Sequence, residues 1–122
     1  MNPIEVISNI AYKYNLDSVG IFGSRARGDY REDSDYDIFI IGNLSLEKEL
    51  SLEDELEREL NNGVDIIKLS KDTDKILLKN IVNEANLIYS KNNSFEKLYE
   101  FVEIFFAENS DFIHMRESDL LD

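Results

Sequence analysis

The chain has 122 residues, no cysteine, one histidine and one proline, and its 26 acidic and 13 basic side chains give a net charge of −13. This excludes a disulfide scaffold and a thiolate zinc site, leaves any metal to oxygen ligands and so to hard ions such as magnesium, and disfavours electrostatic binding of nucleic acid. The length suits one domain spanning residues 1–122; with no apolar run near the ~20 residues of a membrane span and no basic-then-apolar leader, a cytoplasmic protein without membrane contact is expected.

Residues 2–15 read as a helix. Asn2 caps it, Pro3 suits its first turn, and Glu5 completes a capping-box spacing. Ile4, Ile7, Ile10, Ala11 and Tyr14 form its apolar stripe. A strand over 18–22 runs into Gly23. Residues 23–28 form a loop or a single helical turn bounded by glycines, and 29–34 a polar loop. A second strand covers 35–41. A helix follows over 45–61, with Leu46, Leu50, Leu52, Leu56 and Leu60 on its apolar side and Gly63 as its stop. A third strand spans 64–69. A helix over 73–83 is built on Ile76, Leu77, Asn80 and Ile81. A short fourth strand covers 87–89, and a turn at 91–94 leads to a final helix from 95 to about 115. The alternation predicts an α/β domain: one small mixed β-sheet flanked by helices. The first two strands are antiparallel neighbours, because the chain between them is too short for a crossover helix.

Two segments carry chemistry. Asp35 and Asp37 flank Tyr36 at the start of the second strand, and alternation points both carboxylates to one face. Such a pair stays ionised near neutral pH only where a cation or hydrogen-bond donors neutralise it, and magnesium meets that need with oxygen ligands. Asp65, in the third strand, joins them if that strand neighbours the second. Gly23 lets a ligand approach the backbone. The following amides and the Ser24 hydroxyl form a phosphate cradle, with Arg25 and Arg27 placing guanidinium groups beside it. A cradle facing an acidic metal site is what a nucleoside triphosphate with magnesium requires. Each part alone is ordinary surface chemistry; the joint pattern is not. The acidic face over 47–59 reads as solvated surface. The final helix is apolar around much of its cylinder, which suits either core packing or partner docking through 95–118. His114 receives no role.

Gly23-Ser24-Arg25-Ala26-Arg27-Gly28, followed by Ser34-Asp35-Tyr36-Asp37-Ile38, resembles the signature of the DNA polymerase beta-like nucleotidyltransferase superfamily. The size resembles the MntA-like minimal nucleotidyltransferases, typically the antitoxin half of HEPN–MNT toxin–antitoxin pairs. The resemblance implies a nucleotidyltransferase fold, with Ser24 on the triphosphate and Gly23 permitting its approach. It implies that Asp35 and Asp37 hold magnesium, as two ions, and that Asp65 shares one of them and helps deprotonate the acceptor hydroxyl. Arg27 would contact phosphate or brace the loop. In the MntA-like branch the resemblance implies a type VII antitoxin that transfers AMP from ATP to a tyrosine of a HEPN ribonuclease toxin and so silences it. Two alternatives stay open: transfer to a small-molecule hydroxyl, as on an aminoglycoside, and an antitoxin that masks its toxin without catalysis.

Overall fold

The computed structural model describes residues 2–109. Helices and strands alternate along them: α1 (Pro3–Lys13), β1 (Ser18–Phe22), α2 (Ser24–Arg27), β2 (Tyr36–Ile41), α3 (Leu46–Leu60), β3 (Val64–Lys68), α4 (Lys75–Glu84), β4 (Asn86–Ser90) and α5 (Ser94–Glu108). The caps explain the helix starts. The Asn2 side chain accepts the Glu5 amide at 2.9 Å, Ser45 accepts Lys48 at 3.2 Å, and Asp74 accepts both Ile76 and Leu77.

Four sequence expectations need correction here. α3 ends on Asn61, which takes the left-handed conformation at φ +55°; Gly63 lies beyond it with another role. The α3 leucines split into two sets. Leu52 and Leu56 are buried, whereas Leu46 and Leu50 are exposed, because at 100° per residue Leu50 points about 200° away from Leu52. In α4 the buried face is Leu78, Ile81 and Val82, while Leu77 and Asn80 face outward. Ile4, expected on the α1 stripe, is likewise exposed.

The sheet has strand order β3-β2-β1-β4. β1 runs antiparallel to β2 and β4, and β2 runs parallel to β3, so the sheet is mixed as expected. The parallel pair is joined through α3, the crossover that parallel strands require. β2 is central, and Ile38, Phe39 and Ile40 are all fully buried. Ile38 and Ile40 pack on the side of α1 and α3 with Ile7, Ile10, Leu52 and Leu56. Phe39 packs on the side of α4 and α5 with Leu78, Ile81, Leu98 and Val102. Opposite Phe39 in the register stands Gly20; a Cβ there would overlap the Phe39 ring. The missing side chain lets the ring lie across β1 and stack on Phe95, with centroids 5.5 Å apart. Burying such a ring contributes roughly 2–3 kcal/mol.

Most of the apolar surface of α5 is core: Leu98 and Val102 are buried, and Phe95, Phe101 and Phe106 pack partly against the same cluster. The expected continuation to 115–118, with Phe112, Ile113, His114 and Met115, lies outside the described residues. Among the described residues no helix is long and apolar enough to cross a membrane.

The topology brings three strand ends to one edge. β1 finishes at Phe22, which pairs with Asp37 near the start of β2. Asp37 in turn pairs with Asp65 near the start of β3.

Candidate active site at the acidic edge of the sheet

Gly23 follows β1 directly with φ +72°, a region closed to most side chains. Its carbonyl accepts the Ala26 and Arg27 amides at 3.0 and 3.1 Å, so the chain turns at once into the single turn of α2, which begins with Ser24. A second reason excludes a side chain: a Cβ on Gly23 would collide with the Asp37 carboxylate. The glycine therefore seats Asp37 against the turn. Gly63 does the same for Asp35, since a Cβ there would strike the Asp35 carboxylate. The Tyr36 amide donates to the Gly63 carbonyl at 2.9 Å, which fixes that approach.

Asp37 is half-buried, while Asp35 and Asp65 are exposed. Burial pushes the Asp37 carboxyl above its ordinary value, and the neighbouring charges of Asp65, Asp35 and Glu84 push it further; Arg27 opposes them. The edge thus holds a surplus of negative charge that a cation would relieve. The donors are all carboxylate oxygens, the chemistry that suits magnesium. As the side chains stand, Asp35 turns toward Gly63 and Asp37 toward Gly23, and no three acidic or histidine side chains among the described residues are gathered around one ion position.

The two arginines separate. Arg27 reaches the acidic edge: its Nη1 lies 3.3 Å from both oxygens of Glu84, and its Nε lies 3.3 Å from Asp29. Arg25, expected beside the phosphates, sits elsewhere. Its guanidinium donates to the carbonyls of Ser34 (2.8 Å) and Glu32 (3.1 Å). It lies 3.9 Å from the centre of the Tyr36 ring and 4.6 Å from that of Tyr30. Tyr36 points to the opposite face of β2 from Asp37, so Arg25 is on the far side of the strand. A cleft of about 270 Å³ lined by Ile4, Ile21, Arg25, Tyr30 and Tyr36 lies on that far side too.

Glu84 was not foreseen. It is the last residue of α4, and its carboxylate accepts the Gly23 amide hydrogen as well as pairing with Arg27. No local pattern in the sequence points to it, because its contact with Gly23 spans 61 residues.

Residues 5–94 match the family model described as polymerase beta, nucleotidyltransferase. The chain belongs to this nucleotidyltransferase family. No curated protein matches it. Among solved structures, the nucleotidyltransferase chain superposes along its whole length on a chain of a toxin–antitoxin crystal structure with AMP-PNP, covering 100% of each at 19% identity and a TM-score of 0.75. It also superposes on a chain from the complex of tri-AMPylated Shewanella oneidensis HEPN toxin with MNT antitoxin, at 18% identity and a TM-score of 0.62, covering 98% of this chain and 99% of that one. A candidate minimal nucleotidyltransferase is 29% identical over 68% of this chain and 86% of its own, with a TM-score of 0.56. These structures are similar in fold to this chain, whose sheet is mixed and four-stranded.

Proposed function

We propose that this nucleotidyltransferase is the antitoxin of a HEPN ribonuclease and neutralises it by transferring AMP from ATP to a tyrosine of the toxin. The observation that carries the chemistry is the alignment of Asp37 with Asp65 across β2 and β3, directly beside the Gly23-Ser24 turn. The antitoxin assignment is supported by the end-to-end superposition on chains of toxin–antitoxin complexes, one with AMP-PNP and one with an AMPylated toxin.

In this reading the Gly23 turn, the Ser24 hydroxyl and Arg27 hold the triphosphate. Asp35, Asp37 and Asp65 would hold magnesium, as one or two ions; when bound, it supplies charge neutralisation between the carboxylates and the phosphates. The tyrosine hydroxyl oxygen attacks the α-phosphorus, the bond from that phosphorus to the bridging oxygen breaks, and pyrophosphate leaves with the electron pair. Asp65, the more exposed partner of the Asp37 pair, takes the hydroxyl proton. Asp37 is seated against the turn and fixes the geometry. Arg25 braces the 29–34 loop instead of touching phosphate. In this reading the toxin docks against α5, a proposal supported by the exposure of Ile104 (49%) beside the packed aromatics.

The test is direct. The protein is incubated with ATP, magnesium and a candidate HEPN partner, and the partner is weighed by intact-mass spectrometry. A gain of one or more adenylyl groups on tyrosine is expected, lost in the Asp35→Ala/Asp37→Ala double variant. An unmodified partner that is still inhibited would replace catalysis by masking.

A further inference from the structure

Glu84 stands where helix electrostatics disfavours it, at the negative end of α4. It also adds to the charge that Asp37 already feels from Asp35 and Asp65. It is nevertheless held on two sides. The Gly23 amide donates to one carboxylate oxygen, and the Arg27 guanidinium lies 3.3 Å from both. The chain trace explains the reach: β4 begins at Asn86, which pairs with Ile21 of β1, so the end of α4 arrives beside the residues that follow β1. The Asn86 side chain donates to the Ala26 carbonyl at 3.4 Å and ties this corner to α2.

A backbone amide and one guanidinium nitrogen meeting on one carboxylate are donors that phosphate oxygens would also take, because both anions accept charge-assisted hydrogen bonds. We propose that Glu84 is a built-in stand-in for the nucleotide phosphates: it occupies the cradle in the nucleotide-free protein, and a polyphosphate binds by displacing it. This rests on the nucleotide-binding reading given above. Glu84 then acts as a positioning residue. It keeps Arg27 and the Gly23 turn in their binding arrangement while no ligand is present, and it sets how strong a competing anion must be. A monovalent or weakly charged anion does not dislodge it, whereas a polyphosphate with several oxygens does. Apparent affinity falls in proportion to the fraction of molecules whose cradle is free, so a cradle free one-tenth of the time weakens binding about tenfold.

The experiment compares the full-length protein with Glu84→Gln, Glu84→Ala and Asp29→Asn by titration calorimetry, using magnesium-ATP and magnesium-tripolyphosphate as probes. Asp29 is the control: it also pairs with Arg27 but does not touch the Gly23 amide. Both Glu84 variants are expected to bind each probe about three- to tenfold more tightly, and Asp29→Asn less than twofold. Equal or weaker binding by the Glu84 variants, with the unaltered protein binding both probes, overturns the stand-in and leaves the nucleotide reading intact. An equal gain from Asp29→Asn overturns it in favour of bulk charge. Binding of neither probe by any variant overturns the nucleotide reading itself, and this inference with it.

Discussion

Arg25 and Arg27 stand two residues apart on α2, yet they serve opposite sides of β2. On the Arg25 side the partners are neutral: carbonyls of the 29–34 loop and the rings of Tyr30 and Tyr36. On the Arg27 side they are carboxylates, Glu84 and Asp29, beside the Asp35–Asp37–Asp65 edge. A guanidinium between two rings with its N–H groups on main-chain carbonyls is locked in place and holds a loop. A half-exposed guanidinium paired to charges can exchange those charges for others. The first arrangement is architecture, and the second is the one that the proposed function uses to bind phosphate.

The sharpest way to break this contrast is on the acidic side. Asp37→Ala should reduce adenylyl transfer by at least about 1,000-fold, the scale expected when electrostatic stabilisation of phosphoryl transfer is removed, while leaving the fold intact by circular dichroism. A comparable loss of folded structure would show that Asp37 is architectural after all.

Next comes Arg25→Ala. It removes charge-assisted bonds to three carbonyls and two cation–ring contacts, and should destabilise the protein by about 1–3 kcal/mol in a urea titration. Arg25→Lys should rescue little, since an ammonium cannot fork between carbonyls while lying flat on a ring. Arg27→Ala should do the reverse. Its pairs are exposed, so stability should change by less than about 1 kcal/mol, while magnesium-ATP binding weakens about tenfold, the loss of one charged phosphate contact. Equal stability losses in the two variants would abolish the distinction between them.

Part of this contrast was legible in the sequence. Strand alternation predicted Asp35 and Asp37 on one face, with Asp65 joining them if β3 neighbours β2; the Asp37–Asp65 register meets that condition, but Asp35 precedes β2 and turns toward Gly63 while Asp37 turns toward Gly23, so the three carboxylates do not converge on one ion position. The Gly23 turn was legible because positive φ and close approach both demand glycine. Arg25 was misplaced because a helical turn rotates about 200° over two residues, so neighbours in the motif diverge in space once 24–27 folds as α2. Leu46 and Leu50 were misplaced by the same arithmetic. Glu84 was out of reach for another reason: its contact spans 61 residues and depends on β4 closing onto β1, which no local pattern announces.

The smallest effect concerns what the acidic edge does to the fold itself. The Asp37 carboxyl is pushed above its ordinary value of 3.8, by burial first and then by Asp65 and Asp35. Between that ordinary value and the raised one, the folded protein holds more protons than the unfolded chain. Stability must therefore fall as pH rises through that interval and level off above it. Asp37→Asn removes the titrating group and keeps its shape. With a chelator present and no nucleotide, the variant should melt on the order of 1–3 °C higher than the unaltered protein at neutral pH, and the difference should vanish as pH falls below 3.8. Arg25→Ala, on the other side of β2, should lower the melting temperature by a similar amount at both pH values. If Asp37→Asn lowers stability at neutral pH instead, the carboxylate is held by favourable contacts, and the negative surplus at this edge is already compensated within the chain.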